Sequence, residues 1–330
     1  MKTVVTGASG FVGSAVAGRL ARAGHDVRVI VRGTSRLDNV NELSVEVVEG
    51  DLCDRKSLEK AVAGCDVLFH VAADYRLWVP EPEPMYAVNV RGTENIMLAA
   101  LSAGVERVVY TSSVATLGIS GDGLVSDEDT PVSLDDMVGH YKRSKFMAEE
   151  LVTEMVREKG LPAVIVNPST PVGPRDIKPT PTGRMVIEAA SGRMPVCVDT
   201  GLNFVHVDDV AEGHLLAMER GKPGERYILG AENLTLLKFL ETVSEISGCR
   251  PPLCTIPHGM VYPVAVVSEL WARFTGRGEP LATVDGVKLA RKKMFFSTDK
   301  ARRELGYRPG PVRQALEEAV EWFMERGYLA

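Results

Sequence analysis

The fold of this chain follows from the stretch VVTGASGFVG, residues 4–13, in which an apolar run gives way to three spaced glycines and then to a helical pattern. Gly7 permits a tight turn, Gly10 lets the backbone approach a pyrophosphate, and Gly13 lets a helix pack close to a strand. Free N–H groups at the start of the helix would face the anion. The context predicts a dinucleotide-binding turn, and an ordinary structural turn is the alternative.

Short β-branched runs alternate with helical patterns through the rest of the first half. Strands are predicted at residues 3–6, 27–31, 45–48, 67–71, 108–111 and 163–167, and helices at 13–23, 57–63, 85–103 and 139–159. The strands are almost wholly apolar, as expected when both faces of a sheet are covered. This order predicts an α/β fold built on a doubly wound parallel sheet of the Rossmann type.

The second half changes character at a run with five prolines in residues 168–181. Proline at this density excludes regular helix and central strand, so a loop should leave the sheet there. The chain should return to the sheet near residues 204–207 and continue with a helix at 209–220 and a strand at 226–229. We therefore predict a dinucleotide-binding domain over residues 1–170, rejoined at about 204–230, and a smaller, mainly helical C-terminal substrate lobe from residues 171–203 and 231–330.

Composition narrows the range of partners. The 38 Lys and Arg against 44 Asp and Glu leave a formal charge of −6, which gives no attraction to nucleic acid. Five scattered cysteines indicate a reducing, cytoplasmic location, and Cys249 with Cys254 lacks the spacing of a metal site. The longest apolar stretch, residues 260–274, is interrupted by a proline and two charges, so no transmembrane segment is predicted. It predicts an amphipathic helix packed on the protein, with peripheral membrane contact as the alternative.

Tyr141 and Lys145 stand four residues apart on a predicted helix and so share one face. A free tyrosine has a pKa of about 10. A neighbouring ammonium and an oxidised nicotinamide should lower that pKa towards neutrality, where the phenol can act as acid and base. Ser113 follows the fifth predicted strand beside the expected crevice, where its hydroxyl could bond a substrate oxygen. A chance Tyr-x-x-x-Lys pair and a turn-capping serine are the alternatives.

Arg32 follows the second predicted strand, where an NAD site usually carries an acidic residue for the ribose hydroxyls. Arg36 stands four residues further on, and two guanidinium groups would suit a 2′-phosphate. NADP is therefore the preferred cofactor and NAD the alternative. The two arginines could also be solvated surface residues.

Together these motifs resemble the extended short-chain dehydrogenase/reductases, the NAD-dependent epimerase/dehydratase family. The resemblance rests on TGASGFVG at 6–13, GDL at 50–52, HVAA at 70–73, NVRGT at 89–93, TSS at 111–113, YKRSK at 141–145, FVHVDDV at 204–210 and DKARRELGY at 299–307. It implies that Ser113, Tyr141 and Lys145 form the catalytic triad, and that helices 85–103 and 139–159 build a homodimer. The implied cofactor contacts are Gly7, Gly10, Phe11, Val12, Gly13, Asp51, Leu52, Val71, Ala72, Ala73, Asn89, Tyr141, Lys145 and Pro168.

Within the family, the sequence is most similar to the hopanoid-associated sugar epimerases, a group also labelled dihydroflavonol 4-reductase-like. This rests on HVAADYRLW at 70–78, NPSTPVGPRD at 167–176 and KKMFF at 292–296. Tyr75 and Trp78 follow the fourth predicted strand, where substrate loops lie, and they are predicted substrate contacts together with Asn167 and Ser169. Trp78 could instead pack its own loop.

One position departs from the epimerases of this family. Four residues before His206, nucleotide-sugar epimerases typically carry an arginine that grips the substrate diphosphate, and this chain has Leu202. Leucine cannot make a charge-assisted bond to phosphate. The basic residues of the proline-rich loop that could replace it, or could be solvated charges, are Arg175, Lys178 and Arg184. We therefore predict a reductase or dehydrogenase for an alcohol or ketone. The alternative is a sugar or nucleotide-sugar epimerase with tightly bound NAD, and the Tyr-x-x-x-Lys pair argues against a non-enzymatic cofactor sensor.

Overall fold

The computed structural model describes residues 1–275, 280 and 282–329. Its strands are β1 (Lys2–Thr6), β2 (Asp26–Val31), β3 (Glu46–Glu49), β4 (Val67–His70), β5 (Arg107–Thr111), β6 (Ala163–Pro168), β7 (Thr170–Val172), β8 (Val196–Val198), β9 (Gly201–His206), β10 (Arg226–Leu229), β11 (Glu232–Thr235) and β12 (Cys254–Ile256). Its α-helices are α1 (Phe11–Arg22), α2 (Arg55–Val62), α3 (Glu83–Tyr86), α4 (Gly92–Ala103), α5 (His140–Lys159), α6 (Pro181–Ala190), α7 (Val207–Arg220), α8 (Leu236–Ser247), α9 (His258–Thr275), α10 (Val284–Ala290), α11 (Asp299–Leu305) and α12 (Val312–Glu325).

Seven parallel strands form the main sheet in the order β10-β6-β5-β4-β1-β2-β3. The strand order reverses between β1 and β4, which leaves a crevice at the carboxyl ends of these strands. Helices α1 and α7 cover one face of the sheet, and α2, α4 and α5 cover the other. Strands β4 and β6 are buried along their whole length, so their sequences lack the alternation of a half-exposed strand. The predicted doubly wound sheet is confirmed.

The second region has a hydrophobic core of its own. A three-stranded sheet, β11-β9-β7, and a two-stranded sheet, β12-β8, lie outside the main sheet. Helices α6, α8 and α12 pack on the three-stranded sheet, where the rings of Phe204 and Phe239 stack with centroids 4.1 Å apart. This region corresponds to the predicted substrate lobe, apart from residues 276–279, 281 and 330, which lie outside the described residues.

The predicted return to the main sheet at residues 204–207 is wrong. That segment ends β9, which pairs with β7 and β11, and the chain rejoins the main sheet only at β10. In the sequence, β9 and α7 resemble another strand–helix unit of the main sheet. Which strands β9 pairs with depends on distant residues, and the local pattern does not show them. The loop predicted for the proline run is interrupted by β7, which contains Pro171. Because β7 is an edge strand, it tolerates a missing N–H group, and the exclusion of a central strand is not contradicted.

Helix α11 corrects the lobe boundary near the carboxyl end. Ala301 and Leu305 of α11, with Tyr307 after it, belong to the core that covers one face of the main sheet. The predicted substrate lobe includes these residues. In the structure they pack on the dinucleotide-binding domain, although they follow the lobe in sequence.

The predicted helix over residues 85–103 is interrupted by a π-helical turn, Ala87–Arg91, between α3 and α4. A π turn holds one more residue than an α turn and often marks a functional region. Asn89 lies in this turn and is 2% exposed. Hydrophobic periodicity alone does not reveal such a turn.

Helix α9 forms over the predicted amphipathic segment, but only one of its sides packs on the protein. Ala265 and Ala272 are buried, whereas Val267, Trp271 and Phe274 are 66%, 68% and 89% exposed. The prediction of a helix packed on the protein is therefore only half right. Within the described ranges, no helix is long and apolar enough to cross a membrane.

Candidate active site

The glycine turn at the amino end of the chain leaves no room for side chains. Gly7 has a φ of +75°, and a Cβ on it would lie 2.7 Å from the backbone nitrogen of Ala72. A Cβ on Gly13 would lie 2.1 Å from the carbonyl oxygen of Gly7. Helix α1 therefore starts directly against the turn, as the spacing of the glycines predicts.

Thr6 ties this turn to the neighbouring strand. Its hydroxyl oxygen accepts hydrogen bonds from the N–H groups of Val71 and Ala72, both at 3.1 Å, and lies 2.8 Å from Nδ1 of His70. These bonds hold the segment after β4 beside the glycine turn. Val71 and Ala72, two of the predicted cofactor contacts, thus border the crevice.

The start of α1 is chemically suited to an anion. No side chain caps this helix at Gly10, and its first turn has no acidic residue. The first N–H groups of a helix lack intrahelical partners and carry partial positive charge. An uncapped helix end beside a turn without Cβ atoms fits the pyrophosphate of a dinucleotide.

The phenol of Tyr141 lies near Ser113, close enough for the serine side chain to act on the pKa of the phenol. The hydroxyl oxygen of Ser113 accepts the N–H group of Ala115 at 3.1 Å, which leaves its own proton free to be donated. Burial raises the pKa of the Tyr141 phenol above its ordinary value, and the side chain of Ser113 opposes the rise without cancelling it. The protein alone therefore does not produce the predicted lowering.

Lys145 has partners of its own at the end of β5. Its ammonium donates to the hydroxyl oxygen of Tyr110 at 3.1 Å and to the carbonyl oxygen of Thr111 at 2.8 Å. Burial lowers the pKa of Lys145 to about 8, and the carboxylate of Glu149 opposes that shift. The end of β5 thus holds the lysine one helical turn from Tyr141. The effect of burial dominates the pKa of the phenol.

A buried network holds Ser113 from behind. The side-chain amide of Asn167 donates to the carbonyl oxygen of Ser113 at 3.0 Å and to Oε2 of Glu149 at 2.9 Å. Oε1 of Glu149 accepts from Arg226 at 3.2 Å. Asn167 is fully buried, so the structure places this predicted substrate contact behind Ser113. The network links β6 and β10 to α5, and sequence reasoning missed the part that Glu149 takes in it.

Asn89 has partners for its polar atoms within the protein. Its amide nitrogen donates to the carbonyl oxygen of Asp74 at 2.8 Å and to the hydroxyl of Ser144 at 2.9 Å, and its amide oxygen accepts the N–H group of Asp74 at 2.7 Å. Asn89 therefore clamps the segment after β4 to α5. The π turn aims the side chain of Asn89 into the protein, and its contact with the cofactor stays a prediction.

The chain matches the NAD dependent epimerase/dehydratase family over residues 3–230. The chain belongs to this family. It is 45% identical to a Synechocystis sp. protein named as a dihydroflavonol 4-reductase, over 98% of this chain and 95% of that protein.

Two crystal structures extend the comparison. That of gox2253 is 56% identical, with a TM-score of 0.90 and 99% of each chain covered. That of PA4631, a nucleoside-diphosphate-sugar epimerase from Pseudomonas aeruginosa, is 28% identical, with a TM-score of 0.84 and 100% of this chain and 99% of the other covered. As a member of the epimerase/dehydratase family, the protein is an NAD(P)-dependent enzyme. Family membership alone does not choose between reductase and epimerase.

Opposite charges border the carboxyl ends of β2 and β3 in this family member. Arg32 is exposed after β2, and it has no ion pair among the described residues, whereas Arg36 pairs with Asp38 at 3.0 Å. Glu49 ends β3, and a Cβ on Gly33 would lie 2.8 Å from its Oε1 atom. Arg32 suits a 2′-phosphate, and Glu49, which sequence reasoning missed, suits a ribose hydroxyl.

The other predicted cofactor contacts lie along the same edge of the sheet. Asp51 accepts the N–H group of Cys53 at 2.8 Å and shapes the turn after β3. Leu52 packs so closely on α4 that a Cβ on Gly92 would lie 2.8 Å from it. Pro168 ends β6 and is buried. Phe11, Val12 and Ala73 are half-buried at the crevice.

A pocket opens beside Tyr141 on the side of the substrate lobe. Its lining includes Leu77, Val138, Tyr141, Lys142, Thr283 and Leu289. The loop after β4 contributes Leu77, whereas the predicted contacts Tyr75 and Trp78 are not part of the lining. Tyr75 is 40% exposed and Trp78 is half-buried. Sequence reasoning missed Lys142 and the wall formed by α10, because nothing local joins residues so far apart in the chain.

Two predicted substrate contacts have an unsatisfied polar atom, Oδ1 of Asn167 and the hydroxyl of Ser169. The hydroxyl of Ser169 is buried without a hydrogen-bond partner among the described residues. Ser169 follows Pro168 at the carboxyl end of β6. A buried hydroxyl without a partner at this edge of a sheet is available to a ligand.

Proposed function

We propose that this protein is a reductase or dehydrogenase that exchanges hydride between a nicotinamide cofactor and a carbinol or ketone carbon, with Tyr141 as the acid and base. The observation that carries the proposal is the placement of the buried Tyr141 phenol near the Ser113 side chain, one helical turn from the anchored ammonium of Lys145. The bound cofactor would supply or accept the hydride. The protein supplies binding, orientation and the proton.

In the direction of reduction, the phenol of Tyr141 donates its proton to the carbonyl oxygen of the substrate. Burial raises the pKa of Tyr141, so the phenol keeps its proton near neutrality and is ready to donate it. Ser113 donates a second hydrogen bond to the same oxygen and shares the charge that develops there. The Lys145 ammonium, held at the end of β5, would bind the ribose of the cofactor.

The choice of a reductase over an epimerase rests on Leu202. This residue lies in β9 opposite Leu234 of β11 and bridges to Met294. The position is therefore apolar, where a nucleotide-sugar epimerase would need a cation for the diphosphate. Arg175 pairs with Asp208 and is thereby drawn away from such a role.

The proposal is tested by the stoichiometry of the cofactor. Purified protein is mixed with one equivalent of reduced nicotinamide cofactor and a panel of ketones, and the absorbance of the reduced ring is followed. A reductase consumes one reduced cofactor for each alcohol formed. The alternative is an epimerase that retains NAD through purification and turns over without net change in the cofactor. That result would overturn the proposal. A homodimer through α4 and α5, and a cytoplasmic location, stay predictions.

The preference for NADP is proposed on Arg32 and tested by Arg32→Ala. Because Arg32 is exposed and unpaired while Arg36 is held by Asp38, Arg32 is the better partner for a 2′-phosphate. A charge-assisted bond contributes about 1.5–3 kcal/mol, so we expect the KM for NADPH to rise roughly tenfold or more. The KM for NADH should stay unchanged, since Glu49 is untouched.

Arg36→Ala is the matched control for this prediction. Its guanidinium is already engaged by Asp38 at 3.0 Å, so its removal should change the NADPH to NADH ratio much less. If Arg32→Ala raises the KM for NADPH and for NADH equally, the Arg32 side chain contacts a part that the two cofactors share. The preference for NADP would then be wrong.

A further inference from the structure

Lys142 is a buried lysine without a satisfied charge. It is 8% exposed, and the recorded neighbour of its ammonium is the sulfur of Met294 at 3.8 Å. A thioether sulfur is a weak acceptor and carries no charge. No carboxylate lies within ion-pair distance of Lys142 among the described residues. A buried ammonium normally has a counter-charge or several oxygen acceptors, so this one is costly to the folded protein.

Lys145, on the next turn of the same helix, shows what a satisfied lysine looks like here. It is 2% exposed, yet its ammonium has two oxygen acceptors and a carboxylate nearby in Glu149. Burial on α5 therefore does not by itself leave a lysine without partners. Because Lys145 has oxygen acceptors within the protein and Lys142 has none among the described residues, a ligand is the expected counter-charge for Lys142.

Lys142 and Tyr141 line the same narrow pocket, whose volume is about 20 Å³, so a small polar group of a ligand that enters it meets both side chains. Leu77, Val138 and Leu289 make apolar walls. The charged groups around the pocket are Asp285, which pairs with Lys288 at 3.4 Å, and Lys292, whose positive charge acts on Lys142. Burial and Lys292 together lower the pKa of Lys142 to about 8, so the ammonium persists at neutral pH.

We propose that Lys142 binds a single oxyanion of the substrate, a carboxylate or a phosphate monoester, placed a few bonds from the reacting carbinol or ketone carbon. The substrate class is then an apolar hydroxy or oxo acid, or the corresponding phosphate. This inference rests on the proposed function, because it assigns the reacting carbon to the position of Tyr141. Asp285 also lines the pocket, but its carboxylate pairs with Lys288. Lys142 is thus left to match one anionic group, and the anion satisfies the buried charge when it binds.

The proposal is tested by ligand binding that needs no turnover. The thermal midpoint of the cofactor-loaded protein is measured with octanoate, octyl phosphate and octanamide, for wild type, Lys142→Met and Lys159→Met. Methionine keeps the length of lysine without its charge, and Lys159 is an exposed lysine on the same helix.

We expect at least one anion to raise the midpoint of wild type and of Lys159→Met by ~2 °C or more, and to lose that effect in Lys142→Met. Octanamide should act equally on all three proteins. A shift with octanoate alone assigns a carboxylate, and one with octyl phosphate alone a phosphate. If neither anion exceeds octanamide, or if Lys142→Met keeps the anion effect, the proposal is overturned. Tyr141→Phe should bind the anion normally, which separates this result from a failure of the proposed chemistry.

Stability without ligand separates a binding role from a structural one. Lys142→Met removes an uncompensated buried charge, so its midpoint at pH 7 should lie above that of wild type by ~2 °C or more. A lower midpoint would show that Lys142 supports the fold and would overturn the assignment.

The sign of the pH dependence follows from the lowered pKa. Between pH 8 and 10.5, folded wild type loses the Lys142 proton while the unfolded chain keeps it, so wild type gains stability as pH rises. The advantage of Lys142→Met should therefore shrink across this window. Lys145 titrates alike in both proteins, so the difference between them isolates Lys142. An advantage that stays constant to pH 10.5 would contradict the buried ammonium.

Discussion

Replacing Tyr141 by Phe should lower kcat by about 10²–10⁴-fold, the usual contribution of a positioned acid or base. The substitution removes one oxygen atom, and the ring that lines the pocket remains. Because the ring keeps its packing, and Ser113 is the one described side chain that acts on the pKa of this phenol, the thermal midpoint should change little. Affinity for the cofactor, measured by quenching of protein fluorescence, should also stay close to that of wild type.

Tyr86→Phe is the matched control. The hydroxyl of Tyr86 lies 3.2 Å from Nδ1 of His140 at the start of α5, close to the site but outside the pocket beside Tyr141. Loss of this phenol should leave kcat near the wild-type value. Full turnover by Tyr141→Phe, or an equal loss in both variants, would remove Tyr141 from the chemistry.

Gly13→Ala should abolish tight binding of the dinucleotide and destabilise the protein. A Cβ at this position would lie 2.1 Å from the carbonyl oxygen and 2.5 Å from the carbonyl carbon of Gly7, and neither backbone atom can rotate away. Helix α1 must then move off the turn. Overpacking of this kind costs about 1–3 kcal/mol, occasionally more. Urea unfolding gives the stability, and titration with NAD(P)H gives the affinity.

Gly18→Ala is the same change in the same helix. A Cβ there would lie 3.3 Å from Cδ2 of Leu43, the end of a flexible side chain that can shift. Alanine also favours a helix over glycine by up to ~1 kcal/mol. We expect stability equal to or above wild type and unchanged cofactor binding. Equal damage from both substitutions would mean that α1 tolerates no Cβ anywhere, and that the contact with Gly7 is not special.

The sequence predicted well what depends on neighbouring residues. The apolar runs located β1, β2, β4, β5 and β6 of the main sheet to within a few residues, because a strand covered on both faces is apolar along most of its length. The exposed edge strand β3 was located from its β-branched valines. The Tyr141–Lys145 pair was placed on a helix, and α5 spans His140–Lys159. The glycine turn was recognised because its spacing, strand and helix all occur within ten residues.

Features that depend on distant residues could not be predicted in this way. The neighbour of Lys142 is Met294, 152 positions away, and the amide of Asn167 meets Glu149 only after β6 has packed on α5. Residues 204–207 have the pattern of a strand, and nothing in that pattern says which sheet they join. The pKa of Tyr141 was misjudged for the same reason, because it depends on how deeply the ring is buried and on what else holds Lys145.

The pocket beside Tyr141 has one wall from α5, which also carries the reacting groups, and another from α10, more than a hundred residues later. Mutations in α10 can therefore reshape the space offered to a ligand while the proton-transfer groups stay fixed to the main sheet. Substitutions confined to this segment can therefore change the substrate specificity without altering the proton-transfer groups. Relatives with the same chemistry should then diverge fastest at residues 283–289.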